Sequence, residues 1–490
     1  MTDLIDRRIA RAIFFALWAL YASIGPGISA INVNSTSRIG LDFAILQDRS
    51  LSIDSMAPYT IDKAESGGHY YLDKAPGLSL MALPAVAVVQ FAFDRLGVST
   101  VPVRGESFTL FYLTSVWVGV VFTAALFTAA AAGVLYLLAR RLGAGRSAAA
   151  FGALCYALCT PAFGWATVFF GHGLAGACLV LGLALTIFAS DAHAGRREMA
   201  LAFGAGVLLA WSVVVEYTSG PAALIVAAVG CWRLRGVCAD RRVRLLLGAV
   251  GGGVAGMLPL ATYNLLAFGS VFHLGYSDVV GFAGMQTGLF GVSLPRPEVL
   301  GEILVGSKRG ILWIAPVLVL LPLGWAAAYR RFGGPVTVAL IAVPVVYLLI
   351  NSGYAYWTGG ASTGPRHSVP ALAFTGLAFA ALWQSVGSGG RVTLLASAGL
   401  SFGLSLVCAV TTMVCPESMG GVDIDDELFG YILPSFFGGH VHTLLSPFGT
   451  GAPASVILLA APILLGVVAS GVLRGARTGP ATGLAPSAPH

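Results

Sequence analysis

The stretch Ser35–Pro76, STSRIGLDFAILQDRSLSIDSMAPYTIDKAESGGHYYLDKAP, is a polar island in a chain that is otherwise apolar. It carries Asp42, Asp48, Asp54, Asp62, Glu65 and Asp73, with Arg38, Lys63 and Lys74 among them. One long apolar run, Ile9–Ala30, precedes it, and apolar runs dominate the chain beyond it. Of the 490 residues, 57% are hydrophobic and 10% charged. Soluble domains carry roughly 25% charged residues. Repeated apolar runs of about 18 residues or more mean transmembrane helices. The first run exceeds a signal-peptide core of about 7–15 residues. Despite its charged start (Arg7, Arg8, Arg11), it reads as a retained first span.

The pattern predicts an all-α polytopic membrane protein with about twelve spans. These are 9–30, 108–138, 148–163, 168–190, 200–215, 221–232, 245–267, 311–329, 335–350, 371–383, 393–413 and 452–473. Alternate loops differ in charge. With the N-terminus inside, 18 Lys/Arg and 5 Asp/Glu fall on the inner side, against 10 and 17 outside. Positively charged inner loops set orientation, so the N-terminus is expected in the cytoplasm. The long polar loops then share the outer face: 35–76, 268–310, 351–370 and 414–451. Gly77–Gly97 is apolar enough to span, but a crossing there would put Arg140, Arg141 and 233–244 outside. It is therefore expected as an interfacial or re-entrant helix, interrupted by Pro84. A single membrane domain, 1–473, would contain the first outer loop, 31–107, with a disordered cytoplasmic tail at 474–490.

The net charge of +6 does not indicate nucleic acid, because the basic residues form short clusters between apolar runs. The seven cysteines suggest no disulfide framework or metal spacing. Lysine occurs only at Lys63, Lys74 and Lys308, which marks each of them.

Two motifs carry chemistry. The first, HYYLDKAPGL, places Asp73 and Lys74 where the chain enters the membrane interface, with Pro76 opening a helix. An ammonium beside a helix N-terminus suits a phosphate, and a snorkelling lysine paired with its neighbour is the plain alternative. The second, YAYWTGGASTGPRHSVP (Tyr354–Pro370), holds three glycines that allow close backbone approach, and Arg366. A guanidinium there can clamp phosphate, whereas a Trp/Tyr belt with an anchoring arginine needs no ligand. Tyr356, Trp357 and His367 are candidate sugar or acceptor contacts. On the same face stand His172, Glu216 with Tyr217, and Lys308 with Arg309. An interface histidine is more often structural, and Lys308/Arg309 suit a lipid phosphate or a headgroup. The acidic run Asp423–Glu427 reads as a solvated face. Asp62 and Lys63, adjacent in sequence, are expected to pair locally.

The order of a short inner end, one span, an acidic outer loop and Tyr-Tyr-Leu-Asp-Lys-Ala-Pro-Gly-Leu resembles the GT-C membrane glycosyltransferases. It is most similar to the glycosyltransferase-39-like branch, which includes protein O-mannosyltransferases and aminoarabinose lipid A transferases. Asp73, Lys74 and Pro76 match that branch's acidic-Lys-Pro-Pro segment, with Ala75 replacing a proline. The Tyr354–Pro370 loop is similar to those of bacterial relatives. The resemblance implies a GT-C-like fold with interfacial helices in the first outer loop, and a polyprenyl-phosphate-linked sugar donor. It places the segment with Asp73 and Lys74 near the donor phosphate, while Arg366, His172, Lys308 and Arg309 are donor phosphate or lipid candidates from their residue types and their place on the outer face. Those families begin the first loop with an acidic pair that supplies the catalytic carboxylate, but here Asn32–Arg38 has none. Asp42 and Asp62 are then level as the base, with Asp54 behind them. The expected activity is inverting transfer to an envelope glycan, lipid or protein acceptor at the outer face of a bacterial inner membrane, with both termini cytoplasmic. No metal ligands are assigned, and a divalent metal stays open as a cofactor. A lipid-linked-sugar transporter would show repeats and mid-span charges, and a non-catalytic envelope-assembly subunit would need no acid–base constellation.

Overall fold

The computed structural model describes residues 3–25, 30–101, 106–192, 195–446 and 452–470. The tail at 474–490 lies outside them. Within the described residues, each of the twelve expected apolar segments contains helix, though not every one is a single continuous helix. Seven described helices are long and apolar enough to cross a membrane: Gly77–Arg95, Phe108–Arg141, Gly171–Asp191, Arg196–Val215, Ala239–Phe268, Gly334–Gly353 and Ser388–Thr411. Other segments are shorter. Arg146–Leu158 has 13 residues, or about 20 Å at 1.5 Å per residue. The segment at 311–329 is broken into Ile311–Ile314, a tight turn Pro316–Leu320, and Leu321–Phe332.

Between membrane helices, packing rather than water exclusion must hold the bundle, and small residues permit it. A Cβ at Gly206 would collide with the Ala249 carbonyl, and one at Gly252 with the Phe203 backbone. The helices Arg196–Val215 and Ala239–Phe268 therefore lie backbone to backbone. One apolar core runs from Ala10 to Leu459.

Ion pairs tie one end of the bundle. Asp6 accepts from Tyr136 Oη (2.9 Å), Arg140 Nε (3.1 Å) and Arg146 Nε (3.1 Å). Asp191 takes Arg141 at 2.9 Å and Arg233 at 2.5 Å. Glu198, fully buried, takes Arg241 at 2.6 Å.

The four long polar loops meet at the opposite end. Ala64–Ser66 pairs antiparallel with His69–Tyr71 across Gly67-Gly68, whose φ values of 59° and 82° suit a tight hairpin turn. The second loop joins this hairpin through an Ala64–Val279 bridge and Val280 N donating to Lys63 O at 3.0 Å. The second and third loops meet at Val292–Tyr354, and Ser362 N donates to Cys415 O of the fourth at 2.9 Å.

Gly77–Arg95 is one continuous helix with Pro84 inside it. Its start packs against Val214 and Val215, where a Cβ at Gly77 would clash, at the loop-bearing end of helix Arg196–Val215. Its Phe93 ring lies 5.5 Å from Phe111. Beyond its end, the Thr100 carbonyl accepts from Gln47 of the first loop at 3.2 Å. Trp117 Nε1 already reaches the end of the first helix at Ala22 O (3.0 Å), so Phe111 lies beyond that level. Both ends of Gly77–Arg95 thus sit on the loop-bearing side, although the helix is long enough to cross.

Candidate active site

The centre of the loop-bearing end is built on the helix Val33–Phe43. Asn32 caps it, its Oδ1 accepting from Ser35 N at 2.9 Å. Nearly every residue of this helix is buried, including Arg38 at 1% exposure. An arginine that deep needs a counter-ion and satisfied donors. Arg38 Nη2 meets Glu216 Oε1 at 2.7 Å, Nε donates to Asn34 Oδ1 at 3.0 Å, and Nη1 reaches Ala75 O at 3.4 Å. Glu216 stands where the helix Arg196–Val215 ends in extended backbone. Its carboxylate packs on Gly171, where a side chain would clash, and lies 3.7 Å from His172 Nδ1.

Lys74 forms the second node. Its Nζ lies 2.7 Å from Asp62 Oδ2 and 2.9 Å from Asp73 Oδ2, and all three side chains are largely buried. The expected Asp62–Lys63 pair does not form. Lys63 turns away, donating to Ala57 O at 2.7 Å and covering the Tyr70 ring. With Lys63 engaged there, ahead of the strand Ala64–Ser66, Asp62 takes Lys74 instead. Burial works to raise the Asp62 pKa, but the Lys74 ammonium, then Arg366 and Arg38, outweigh it and hold the carboxyl below its ordinary value. Burial prevails at Asp73 and holds its pKa up. Lys74 opposes the rise, and the Asp62 charge adds to it. Two carboxyls sharing one ammonium are thus pushed in opposite directions.

The third node is the loop after Gly334–Gly353. Arg366 lies over the Phe170 ring, 5.2 Å from its centre, and packs against Gly359. No carboxylate lies within 4 Å of it among the described residues, and its buried Nε has no hydrogen-bond partner. Burial, the largest influence, lowers its pKa, while Asp62 acts to raise it. The His367 ring stands edge-on to Tyr354 (5.0 Å) and His172 (5.4 Å). Burial and Arg366 push the His367 pKa well down, so the imidazole is neutral. Tyr356 Oη accepts from Gly284 N at 2.9 Å, and Trp357 is half-buried in the same loop. Tyr217 stacks edge-on against Tyr276 at 5.1 Å.

Asp62, Asp73, Lys74, His172, Glu216, Arg366 and His367 therefore converge, with Arg38, Tyr354 and Tyr276 beside them. Asp54 lies outside the cluster. It is 43% exposed and holds the hairpin, accepting from Tyr70 N and meeting His69 Nδ1, both at 2.7 Å. Asp42 is fully buried on the first-loop helix, and neither carboxylate oxygen has a partner among the described residues. Burial alone pushes its pKa well up. Arg309 is buried at 1% and engages Glu427 and backbone carbonyls, while Lys308 lies 3.7 Å from the exposed Asp425. The acidic run is not uniformly solvated, since Glu427 is 3% exposed. Among the described residues, no three His, Cys, Asp or Glu side chains are grouped to hold a metal.

Sequence reading passed over Arg38 as a site residue. The available signal was Asn34 and Arg38 one turn apart on a helix start. Tyr276 gave none.

No protein-family model matches this sequence, and no curated protein matches it. Among solved structures, the chain is similar to ArnT from Cupriavidus metallidurans bound to undecaprenyl phosphate. The identity is 14% over 95% of this chain and 76% of that one, with a TM-score of 0.48. The apo state of the same protein gives 15% identity, 95% and 75% coverage, and 0.48. The Archaeoglobus fulgidus oligosaccharyltransferase in complex with zinc and sulfate gives 16% identity over 83% of this chain and 53% of that one, at 0.46.

Proposed function

We propose that this chain is a GT-C-type membrane glycosyltransferase that moves a sugar from a polyprenyl phosphate to an acceptor at the outer face of a bacterial inner membrane. The observation that carries this reading is Arg366, a guanidinium without a carboxylate partner beside Lys74 and a carboxylate kept ionised. A half-buried guanidinium in that state, its inaccessible Nε unsatisfied, is a receptor for an anion. The surrounding apolar helices supply a place for a lipid tail. The motif resemblance at Asp73–Pro76 and Tyr354–Pro370 points the same way.

In the proposed reaction the Asp62 carboxylate takes the proton of the acceptor hydroxyl or amine. The freed oxygen or nitrogen attacks the anomeric carbon, the bond from that carbon to the phosphate oxygen breaks, and configuration inverts. The departing polyprenyl phosphate gathers charge, which Arg366 and Lys74 stabilise. Glu216, fixed by Arg38 and beside His172, orients the acceptor, and Tyr356, Trp357 and Tyr217 flank the sugar. Asp42 and Asp54 take no part. The acceptor is an envelope glycan, lipid or protein. The ion-paired end with Arg140, Arg146 and Arg233 faces the cytoplasm, together with both termini.

Transfer of radiolabelled sugar from a polyprenyl-phosphate donor by purified protein is the test. Asp62→Asn should lower kcat by about 100-fold or more, while Asp54→Asn stays near wild type. Equal turnover in wild type, Asp62→Asn, Asp73→Asn and Glu216→Gln would sink the reading.

A further inference from the structure

A second buried ion pair stands outside the reacting cluster, and its partners point back to it. Arg309 lies at the end of the second outer loop and Glu427 in the fourth, and both are nearly inaccessible to solvent. They pair with each other. Arg309 Nε donates to Thr358 O and Nη2 to Gly360 O, each at 2.7 Å. Glu427 Oε2 accepts from Gly364 N at 3.0 Å. The pair thus grips the third loop on both sides of Gly359 and again two residues before Arg366. Gly359, Gly360 and Gly364 have φ of 79°, 65° and 66°, so this backbone is shaped for the grip and tolerates few other residues. The gripped segment faces Arg366. A Cβ on Gly359 would lie 2.8 Å from Arg366 Nε. Ser307 Oγ, donating to Asp425 O at 2.8 Å, ties the two gripping loops to each other.

We propose that Arg309 and Glu427 are positioning residues that set Arg366, and through it the affinity for a lipid phosphate. This rests on the reading of Arg366 as the phosphate ligand. A buried ion pair adds little net stability but costs much when one partner is lost. Such a pair fits a role in fixing one loop geometry. It reassigns Arg309 from contact with phosphate to support of the residue that makes it, and gives Glu427 the same task.

The test uses the full-length protein in detergent and compares wild type, Glu427→Gln, Arg366→Ala and the double variant. Two readouts are taken: hydrogen exchange over residues 356–366, and affinity for a long-chain polyprenyl phosphate. Glu427→Gln should speed exchange there by about tenfold or more and weaken binding by about tenfold. The double variant should bind no more weakly than Arg366→Ala, because both changes act through one group. Unchanged exchange in Glu427→Gln, or binding losses that multiply in the double variant, would overturn the proposal. Should Glu427→Gln not fold, Ser307→Ala removes one bond between the same loops, and about a twofold rise in the same exchange is expected. If wild type and Arg366→Ala bind the lipid equally poorly, the phosphate reading fails, and the exchange result alone decides the clamp.

Discussion

Asp62 and Asp73 share the Lys74 ammonium and carry opposite pKa shifts, and this pairing makes a prediction at single residues. The folded pKa of Asp62 lies below its ordinary value, so its contribution to stability is present above the unfolded carboxylate range, about 3.9. That contribution is lost as pH falls through the folded value. Asp73, with its pKa raised, works the other way. Its ionisation opposes the fold, and its unfavourable contribution grows as pH rises through the folded value. Asp62→Asn should therefore lower the Tm of the solubilised protein at pH 7, whereas Asp73→Asn should leave it unchanged or raise it by a few degrees. As the pH is brought to about 4 the Asp73→Asn variant should approach wild type, while the deficit of Asp62→Asn persists and is lost only in more acidic solution. Thermal unfolding at pH 4, 6 and 8 reads this directly, and equal losses from both substitutions would refute the assignment. Lys74 was legible in the sequence because lysine is so rare in this chain. Its partner was not, because the residue next to Asp62 is another lysine and only the turn of the backbone decides between them. The Arg38–Glu216 pair spans 178 positions, and nothing local to either residue announces it.

At the scale of elements, the helix Gly77–Arg95 shows what hydropathy settles and what it leaves to packing. Length and apolarity alone would send it across a membrane. The basic loops downstream argue against that, and the contacts of both its ends agree with them. Single cysteines at positions 75 and 145, in a cysteine-free background, should differ in labelling by a membrane-impermeant thiol reagent. Position 75 should label from the loop-bearing side and position 145 only after permeabilisation. Labelling of both from one side would mean that the helix crosses. The helices were legible because apolar runs leave the backbone no other way to satisfy its polar groups. The two small hairpins, turning on Gly67-Gly68 and Gly420-Gly421, were not read. Strands of two or three residues carry no periodic pattern. The Glu427 burial was missed for a related reason, since its acidic neighbours gave the run the look of a solvated face.

Over the whole molecule, charge is sorted to two ends with different tasks, and a substitution at each end should separate them. The loop-bearing end holds cations and carboxyls around a guanidinium without a counter-ion among the described residues, an arrangement that does not maximise stability. The other end holds closed networks, of which Asp6 is the most connected, satisfying Tyr136, Arg140 and Arg146 at once. Burial acts to raise the Asp6 pKa, but those three hydrogen bonds outweigh it and hold the value down. Its contribution is therefore present above about pH 4 and lost only in more acidic solution. Removing the charge leaves two arginines facing a neutral amide across three helix ends. Exposure of the arginines to solvent moderates the loss. Asp6→Asn should then lower the Tm of the solubilised protein by several degrees at pH 7 and by progressively less as the pH falls below about 4. Because the first-loop helix and the Lys74 node belong to the far end, affinity for a polyprenyl phosphate should stay within about twofold of wild type. Arg366→Ala should give the reverse, a large loss of affinity with a small change in Tm, since that guanidinium has no counter-ion to lose. Thermal unfolding and lipid binding on the same preparations give both quantities. If Asp6→Asn weakened binding as much as Arg366→Ala does, the two ends would be energetically coupled through the bundle, and their division into a structural end and a binding end would not stand.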